Sequence, residues 1–225
     1  MNYDDLLELV QKRRSARRFK PDPVPDEYID KIIEVARWAP SSLNQQPWEF
    51  VVVKDLELRR KILGYCEEYR RFSSPMNTTA EPGEAPRPVP VGGQDDLNMA
   101  PVLILLFGDT RGKQAEPRDL RYNPATLQDI FSDGLASALM YMHLAATTLG
   151  LGSKWNSVCR IPYPRCMIER LLGVPEKLEL HDMMMLGYPA AEPRPKRMRN
   201  KERMLHYDYC EVDDFRTDEE VKDFI

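Results

Sequence analysis

No apolar run in this chain is longer than the six residues of Val102-Leu103-Ile104-Leu105-Leu106-Phe107. A bilayer span needs about 20 residues, so a membrane-crossing helix is not expected. Histidine is scarce, with three residues, and cysteine nearly so, with four at 66, 159, 166 and 210. None of the cysteines forms a Cys-x-x-Cys pair, so a zinc or other metal site is not expected. A disulfide framework is equally unexpected in a chain of 225 residues, and the four thiols read as small buried hydrophobes. No Gly-x-Gly-x-x-Gly fingerprint occurs, so a Rossmann-bound dinucleotide is excluded as a resident cofactor. The opening Met1-Asn2-Tyr3-Asp4-Asp5 is acidic where a signal peptide would be basic and then apolar, which predicts a cytoplasmic protein. A net charge of −4 argues against a general polyanion binder, and any phosphate site must therefore be local.

The composition that remains is ordinary for a globular domain, with 42% hydrophobic and 30% charged residues. One domain over residues 1–225 is expected. Leu6, Leu7, Leu9 and Val10 mark a helix over 3–14. Pro21, Pro23 and Pro25 enforce an extended connection. Asp26 is placed to cap a second helix that carries Ile29, Ile32, Ile33 and Ala36 on one face. Phe50–Val53 reads as a buried strand and Leu56–Phe72 as a third helix. Residues 73–101 hold six of the nineteen prolines and almost no large apolar side chain, which predicts a long loop or lid. Val102–Phe107 is a second buried strand, followed by a polar stretch over 109–124. Leu127–Leu149 is a long helix rich in small residues. A strand follows Gly150-Leu151-Gly152, then a helix over Pro164–Leu172, then a strand over His181–Tyr188. Residues 190–225 form a charged extension. The order predicts an α+β fold with helices on both sides of one sheet.

Two stretches carry chemistry. Arg13-Arg14-Ser15-Ala16-Arg17-Arg18-Phe19 puts guanidinium groups and a hydroxyl into one short segment, which suits a phosphate. By itself the cluster is equally a solvated basic helix end. A nucleic-acid patch is disfavoured, because aromatic residues are not interleaved and the chain is acidic. Ala39-Pro40-Ser41-Ser42-Leu43-Asn44-Gln45-Gln46-Pro47-Trp48 is a proline-bounded loop. Ser41, Ser42, Asn44 and Gln46 offer donors and acceptors to a planar ring or a polyol chain; the plain alternative is an ordinary loop. Trp48 reads as a core anchor. Glu67-Glu68-Tyr69-Arg70-Arg71 reads as a solvated helix face with i,i+4 pairs.

The order of these segments resembles the nitroreductase family. Further matching pieces are Asn98-Met99-Ala100-Pro101-Val102, Leu144–Ser153 followed by Trp155, Leu172-Gly173-Val174-Pro175-Glu176, Leu186-Gly187-Tyr188-Pro189 and Lys196-Arg197-Met198-Arg199. The resemblance covers roughly residues 3–205. It implies a nitroreductase-like α+β fold with a central mixed or antiparallel sheet. It also implies a C-terminal extension that wraps the partner subunit of a homodimer with shared flavin sites. The implied cofactor is FMN, with NADH or NADPH as a transient electron donor and a small electron-poor molecule as acceptor. By position, Arg13, Arg14, Ser15 and Arg17 would hold the phosphate and one edge of the flavin. Pro40, Ser41, Ser42 and Asn44 would lie beside the ring. Lys154, Trp155, Asn156 and Ser157 would line its other face. Arg199, with Arg197 as second choice, would return to the phosphate. No dedicated nucleophile or general base is expected, and no metal, nucleic-acid or membrane partner.

The sequence departs from the pattern in two places. Lys154-Trp155-Asn156 replaces the Pro-x-Glu-Gly type motif of familiar bacterial members and the threonine run of the dehalogenating branch. The 73–97 insertion is long, and insertions there set substrate choice. Reductive dehalogenation, flavin cleavage and non-catalytic flavin binding therefore stand as alternatives.

Overall fold

The computed structural model describes residues 2–73, 99–192, 196–209 and 215–224. The chain divides into a unit over residues 1–193 and a smaller one over 194–225. Most of the expected loop, residues 74–98, lies outside the described residues.

In the larger unit, Val102–Asp109 forms strand β2, buried along nearly its whole length. It pairs antiparallel with β1 (Trp48–Val53) on one side and with β4 (Leu178–Gly187) on the other. Strand β3 (Gly152–Asn156) pairs antiparallel with the far edge of β4, giving the order β1-β2-β4-β3. The expected α+β sheet is thus antiparallel among its described strands. Both faces are covered, which is why the central strands read as unbroken apolar runs rather than alternating ones.

Side-chain alternation sorts those runs into two cores. Val102, Ile104, Leu106, Met184 and Leu186 face α2 (Asp26–Ala36) and α5 (Pro124–Thr148). Leu103, Leu105, Phe107, Met183 and Met185 face α3 (Leu56–Ser73) and α6 (Pro162–Leu172). Each fully buried side chain of this size contributes about 1.5–3 kcal/mol. Trp48 is buried in the first core, as its reading as an anchor requires. Cys66 and Cys159 are buried in the second, whereas Cys166 is exposed on α6, contrary to expectation. Cys210 lies outside the described residues.

Several ends differ from the sequence reading. Helix α1 (Tyr3–Lys12) starts in a capping box between Asn2 and Asp5 and stops at Lys12. Arg13 is extended, so Arg13 and Arg14 lie beyond the helix instead of inside it. Asp26 does not cap α2; Pro25 occupies the cap and Asp26 pairs with Lys54. Helix α5 begins three residues earlier than expected, at Pro124, with the Asn123 side chain capping it. The polar stretch after β2 contains a 3-10 segment over Thr110–Ala115 and the short α4 (Arg118–Arg121). Gly150 closes α5 at φ 71°, a left-handed conformation glycine adopts without strain, and turns the chain into β3.

The smaller unit contains a 3-10 turn over Lys201–Arg203 and α7 (Asp218–Phe224). Arg203 clamps Glu220 through both guanidinium nitrogens, at 2.5 and 3.1 Å.

Gly187 ends β4 where three segments converge. A Cβ there would lie 2.5 Å from Pro101 Cδ and 3.1 Å from Phe19 Cδ1. The proline ring cannot swing aside, so Gly187→Ala is expected to destabilise the fold by about 1–3 kcal/mol. Urea unfolding reads this as a lower midpoint at unchanged slope; an unmoved midpoint refutes the close approach.

Candidate functional site

The arginine segment is tied to the free edge of β3. The Ala16 N–H donates to the Ser153 carbonyl at 2.9 Å, and Ser15 and Ser153 form an isolated parallel bridge. Downstream, Phe19 is buried and bridges Pro189, while the Lys20 N–H donates to the Tyr188 carbonyl at 2.8 Å. The segment is therefore held at both ends by backbone. Its arginine and serine side chains stay available. Among the described residues Arg13, Arg14, Ser15 and Arg17 form no side-chain hydrogen bond or ion pair. Guanidinium groups with no partner among the described residues, off the helix and pinned to a strand edge, make a candidate anion cradle.

Strand β3 continues this site. Ser153 and Trp155 face α5, and by alternation Lys154 and Asn156 face α3. Asn156 is buried, and its side-chain oxygen accepts from the Val158 N–H at 3.1 Å. Ser157 is exposed at the start of the turn that follows. Lys154 is half-buried, and its amine sits below its ordinary pKa, first through burial and then through the Arg70 and Arg17 guanidiniums. The structure thus brings together Arg13, Arg14, Ser15 and Arg17 with Lys154, Trp155 and Asn156.

His143, on α5, carries this arrangement although no sequence motif pointed to it. It is 2% exposed, and its Nδ1 lies 2.7 Å from the Ser153 hydroxyl. Its ring stacks on Trp155, centroids 5.7 Å apart and planes 18° apart. Its Nε2 and the indole Nε1 of Trp155 are buried with no hydrogen-bond partner. Burial, and secondarily the positive charge of Arg13, push the imidazole pKa down from 6.5 to about 4. The ring is therefore neutral at physiological pH. The available signal was a lone imidazole in the otherwise uncharged stretch from 134 to 149.

The loop of Pro40, Ser41, Ser42 and Asn44 lies elsewhere. Leu43, Asn44 and Gln46 have positive φ values of 48°, 53° and 48°, each costing about 1–2 kcal/mol for a residue with a side chain. The strained turn is held by the Ser41 hydroxyl, which accepts from the Gln46 N–H at 2.9 Å. Gln45 anchors it further by donating to buried Glu116 at 2.6 Å. Ser41 packs on Gly134, where a Cβ would approach to 3.2 Å. Gly134 and His143 are nine residues apart on α5, or roughly 13 Å along the axis. One chain therefore does not bring this loop to the arginine cradle. Arg197 and Arg199 belong to the smaller unit. There Arg197 donates to the Asp223 carbonyl at 3.0 Å and lies over the Phe224 ring, and Arg199 is exposed.

The stretch expected to be a solvated helix face is different. Glu67 is partly buried between Arg70 and Arg71, 3.6 Å from each, and Arg70 keeps only 15% of its side chain exposed. With Leu63, Gly64, Met99 and Asn156 they line a cleft of about 600 Å³ between α3 and β3. Charge periodicity cannot reveal such burial, because it depends on what packs at the end of the helix. Among the described residues no group of three or more His, Cys, Asp or Glu side chains could hold a metal, and no helix is long and apolar enough to cross a membrane.

The family model described as "Nitroreductase family" matches residues 10–188. An iodotyrosine deiodinase of Thermotoga neapolitana is 30% identical, over 87% of this chain and 94% of its own length. A NADH dehydrogenase of Thermus thermophilus is 27% identical, over 89% of this chain and 95% of its own. Among solved structures, an FMN-dependent nitroreductase from Clostridium difficile is 25% identical, with a TM-score of 0.66, and covers 91% of this chain and 99% of its own.

His143 has a measurable signature. Its folded pKa of about 4 lies below the ordinary 6.5, so between these values the unfolded chain binds a proton that the fold refuses. Stability is unaffected above about pH 6.5 and falls as the pH drops towards 4. Between pH 7 and 4.5 the loss from this one group is about 2–3 kcal/mol. In His143→Gln, urea midpoints should fall less over that interval by a comparable amount; an unchanged pH dependence refutes the assignment.

Proposed function

The chain belongs to the nitroreductase family of oxidoreductases, and on that premise we propose that it binds FMN and uses NADH or NADPH to reduce an electron-poor small molecule such as a nitroaromatic or quinone. The observation that carries this reading is the unpaired arginine segment clamped to β3. Arg13, Arg14 and Ser15 would hold the FMN phosphate, and Arg17 the polar edge of the ring. Lys154, Trp155, Asn156 and Ser157 would line one face. The buried, unpartnered ring nitrogens of Trp155 and His143 also fit a polar ligand at this edge better than an apolar void. FMN supplies the hydride and electron transfer when bound. The protein's part is to bind, orient and keep the ring face open to alternating donor and acceptor, which is a ping-pong scheme. No side chain of the site needs to act as nucleophile.

The second half of each site would come from a second copy. Helix α1 buries none of its residues, and its apolar Leu6, Leu7 and Val10 all stand exposed. Trp38, just beyond α2, is 78% exposed. Apolar side chains arrayed in this way favour an isologous dimer. In such a dimer the strained loop of Pro40, Ser41, Ser42 and Asn44 would reach the partner's flavin, which accounts for its separation from the cradle within one chain. Arg197 and Arg199 would return to a phosphate from the C-terminal extension.

Reductive dehalogenation is the second reading, favoured by the deiodinase relative. Lys154-Trp155-Asn156 stands against it, because the threonine run of that branch is missing here.

Anaerobic absorbance spectra decide between these readings. The FMN-loaded protein should show a flavin band that bleaches on adding NADH or NADPH and returns with a nitroaromatic acceptor. A band that persists means a flavin-binding protein without this activity, and failure to bind FMN overturns the reading. Arg13→Ala should weaken FMN binding by about tenfold or more, the loss of one charge-assisted hydrogen bond of about 1.5–3 kcal/mol. Recovery of the band only with an iodinated or brominated phenol would favour dehalogenation.

A further inference from the structure

The bases that follow β2 are not alike. Arg111 is clamped on the Asp109 carboxylate, and Lys113 donates to Gln128 at 2.6 Å and lies 3.6 Å from Glu179. Arg118 and Arg121, on α4, are exposed and form no ion pair or side-chain hydrogen bond with a described residue; Asp119, between them in sequence, pairs with neither. Three positions apart, the two arginines are neighbours on the helix surface. The Arg118 guanidinium lies 5.7 Å from the centroid of the Tyr122 ring, and Tyr122 is 75% exposed. Arg118, Arg121 and Tyr122, with Lys113, Gln114 and Leu127, line a cavity of about 320 Å³. The turn that presents them is backbone-bonded. The Arg121 N–H donates to the Pro117 carbonyl at 3.0 Å and the Tyr122 N–H to the Arg118 carbonyl at 3.3 Å, and α4 packs on α5.

Two guanidinium groups and an exposed aromatic ring around one cavity suit a phosphorylated planar ligand. The guanidiniums can hold a phosphomonoester through charge-assisted hydrogen bonds, and the ring can stack on a base. The position of the cavity narrows the ligand further. Lys113 and Leu127 also line the hollow beneath Ser41, Ser42 and Gln45, so the cavity adjoins the loop proposed above to reach the partner's flavin. We infer that Arg118, Arg121 and Tyr122 bind the adenosine 2′-phosphate end of the electron donor, so that NADPH is preferred to NADH. This deepens the oxidoreductase reading and rests on it and on its dimer. A nicotinamide lying on the flavin leaves the adenosine end outside, where the loop and α4 form the rim. The chain has no Gly-x-Gly-x-x-Gly turn to grip a dinucleotide by its backbone, so recognition of the donor falls to side chains such as these.

Two comparisons test the site, each between ligands that differ only in the 2′-phosphate. FMN-loaded wild-type protein should favour NADPH over NADH in kcat/KM by about tenfold or more. Arg118→Gln and, separately, Arg121→Gln should each lower that ratio by about tenfold. Tyr122→Ala should lower kcat/KM for both donors alike and keep the ratio, because stacking does not involve the phosphate. The ratio cancels any general loss of flavin or of folded protein. Calorimetry, which needs no turnover, should show 2′,5′-ADP binding about tenfold more tightly than 5′-AMP, and both arginine variants should shrink that difference. A wild-type ratio near one or in favour of NADH overturns the site. So does a ratio unchanged in both arginine variants, or equal binding of the two mononucleotides. Failure of the FMN reading shows separately, as protein that binds no flavin while 2′,5′-ADP still binds through Arg118 and Arg121.

Discussion

Ser153 is where the sheet, the long helix and the arginine segment meet. Its backbone pairs with Leu186 of β4, its carbonyl receives the Ala16 N–H, and its hydroxyl meets His143. Each bond alone is worth about 0.5–1.5 kcal/mol. Together with the packing of Ala16 against the second core they fix the position of Arg13 to Arg17 relative to β3. A cradle made of long, flexible arginines is useful only if its backbone is immobile, because each guanidinium loses up to about 2 kcal/mol of rotamer freedom when it is ordered. The fold supplies the immobility through main-chain bonds and leaves the side chains free. Neutral His143 belongs to this scheme. A protonated imidazole beside Arg13 would repel the very charges that the segment presents, and burial prevents it.

The pleat of β3 then divides the chemistry. A strand only five residues long places Ser153 and Trp155 against α5 and Lys154 and Asn156 against α3. The first pair builds and stiffens the edge; of the second, Asn156 lines the cleft. A one-residue slip of β3 against β4 would exchange the two sets and abolish both. The register is held by the buried methionines of β4: Met184 lies opposite Trp155 and Met185 opposite Lys154, each fully buried in its own core. Site geometry is in this sense a by-product of core packing on the neighbouring strand.

Much of this was legible in the sequence. Buried strands over 50–53 and 102–107 and the long helix after 124 follow from apolar runs and spacing, because burial on both faces leaves an unmistakable composition. The arginine segment and the proline-bounded loop were legible as polar clusters between packed elements. What escaped the sequence was decided by tertiary neighbours. Helix α1 ends at Lys12 because Ala16 must reach Ser153, and local propensity carries no trace of that bond. His143 looks like any residue of a core helix until Ser153 is found beside it. Arg70 and Glu67 have the spacing of a solvated pair, and only the end of β3 packed against them makes a cleft. Cys166 shares its type with Cys66 but lies on the outer side of α6. In each case the sequence carried the residue and the fold supplied its partner.

The same logic bears on the bases that have no described acid beside them in one region of a net acidic protein. Exposed pairs such as Lys12–Glu8, Lys31–Glu27 and Arg37–Glu34 show that this chain readily places acids beside its bases on helices. Such pairs are worth little, about 0–1 kcal/mol, and cost the fold nothing when absent. Around β3 the described residues differ: Arg13, Arg14, Arg17 and Lys154 have no described acid paired with them, and burial first, then Arg70 and Arg17, put the Lys154 ammonium under strain. Pairing them internally would relieve that strain and would also neutralise the field that attracts an anion. On the FMN-binding reading proposed above, the anionic cofactor is what would neutralise these cations. The two thoroughly buried cores on either side of β2 and β4 are what allow the fold to carry them.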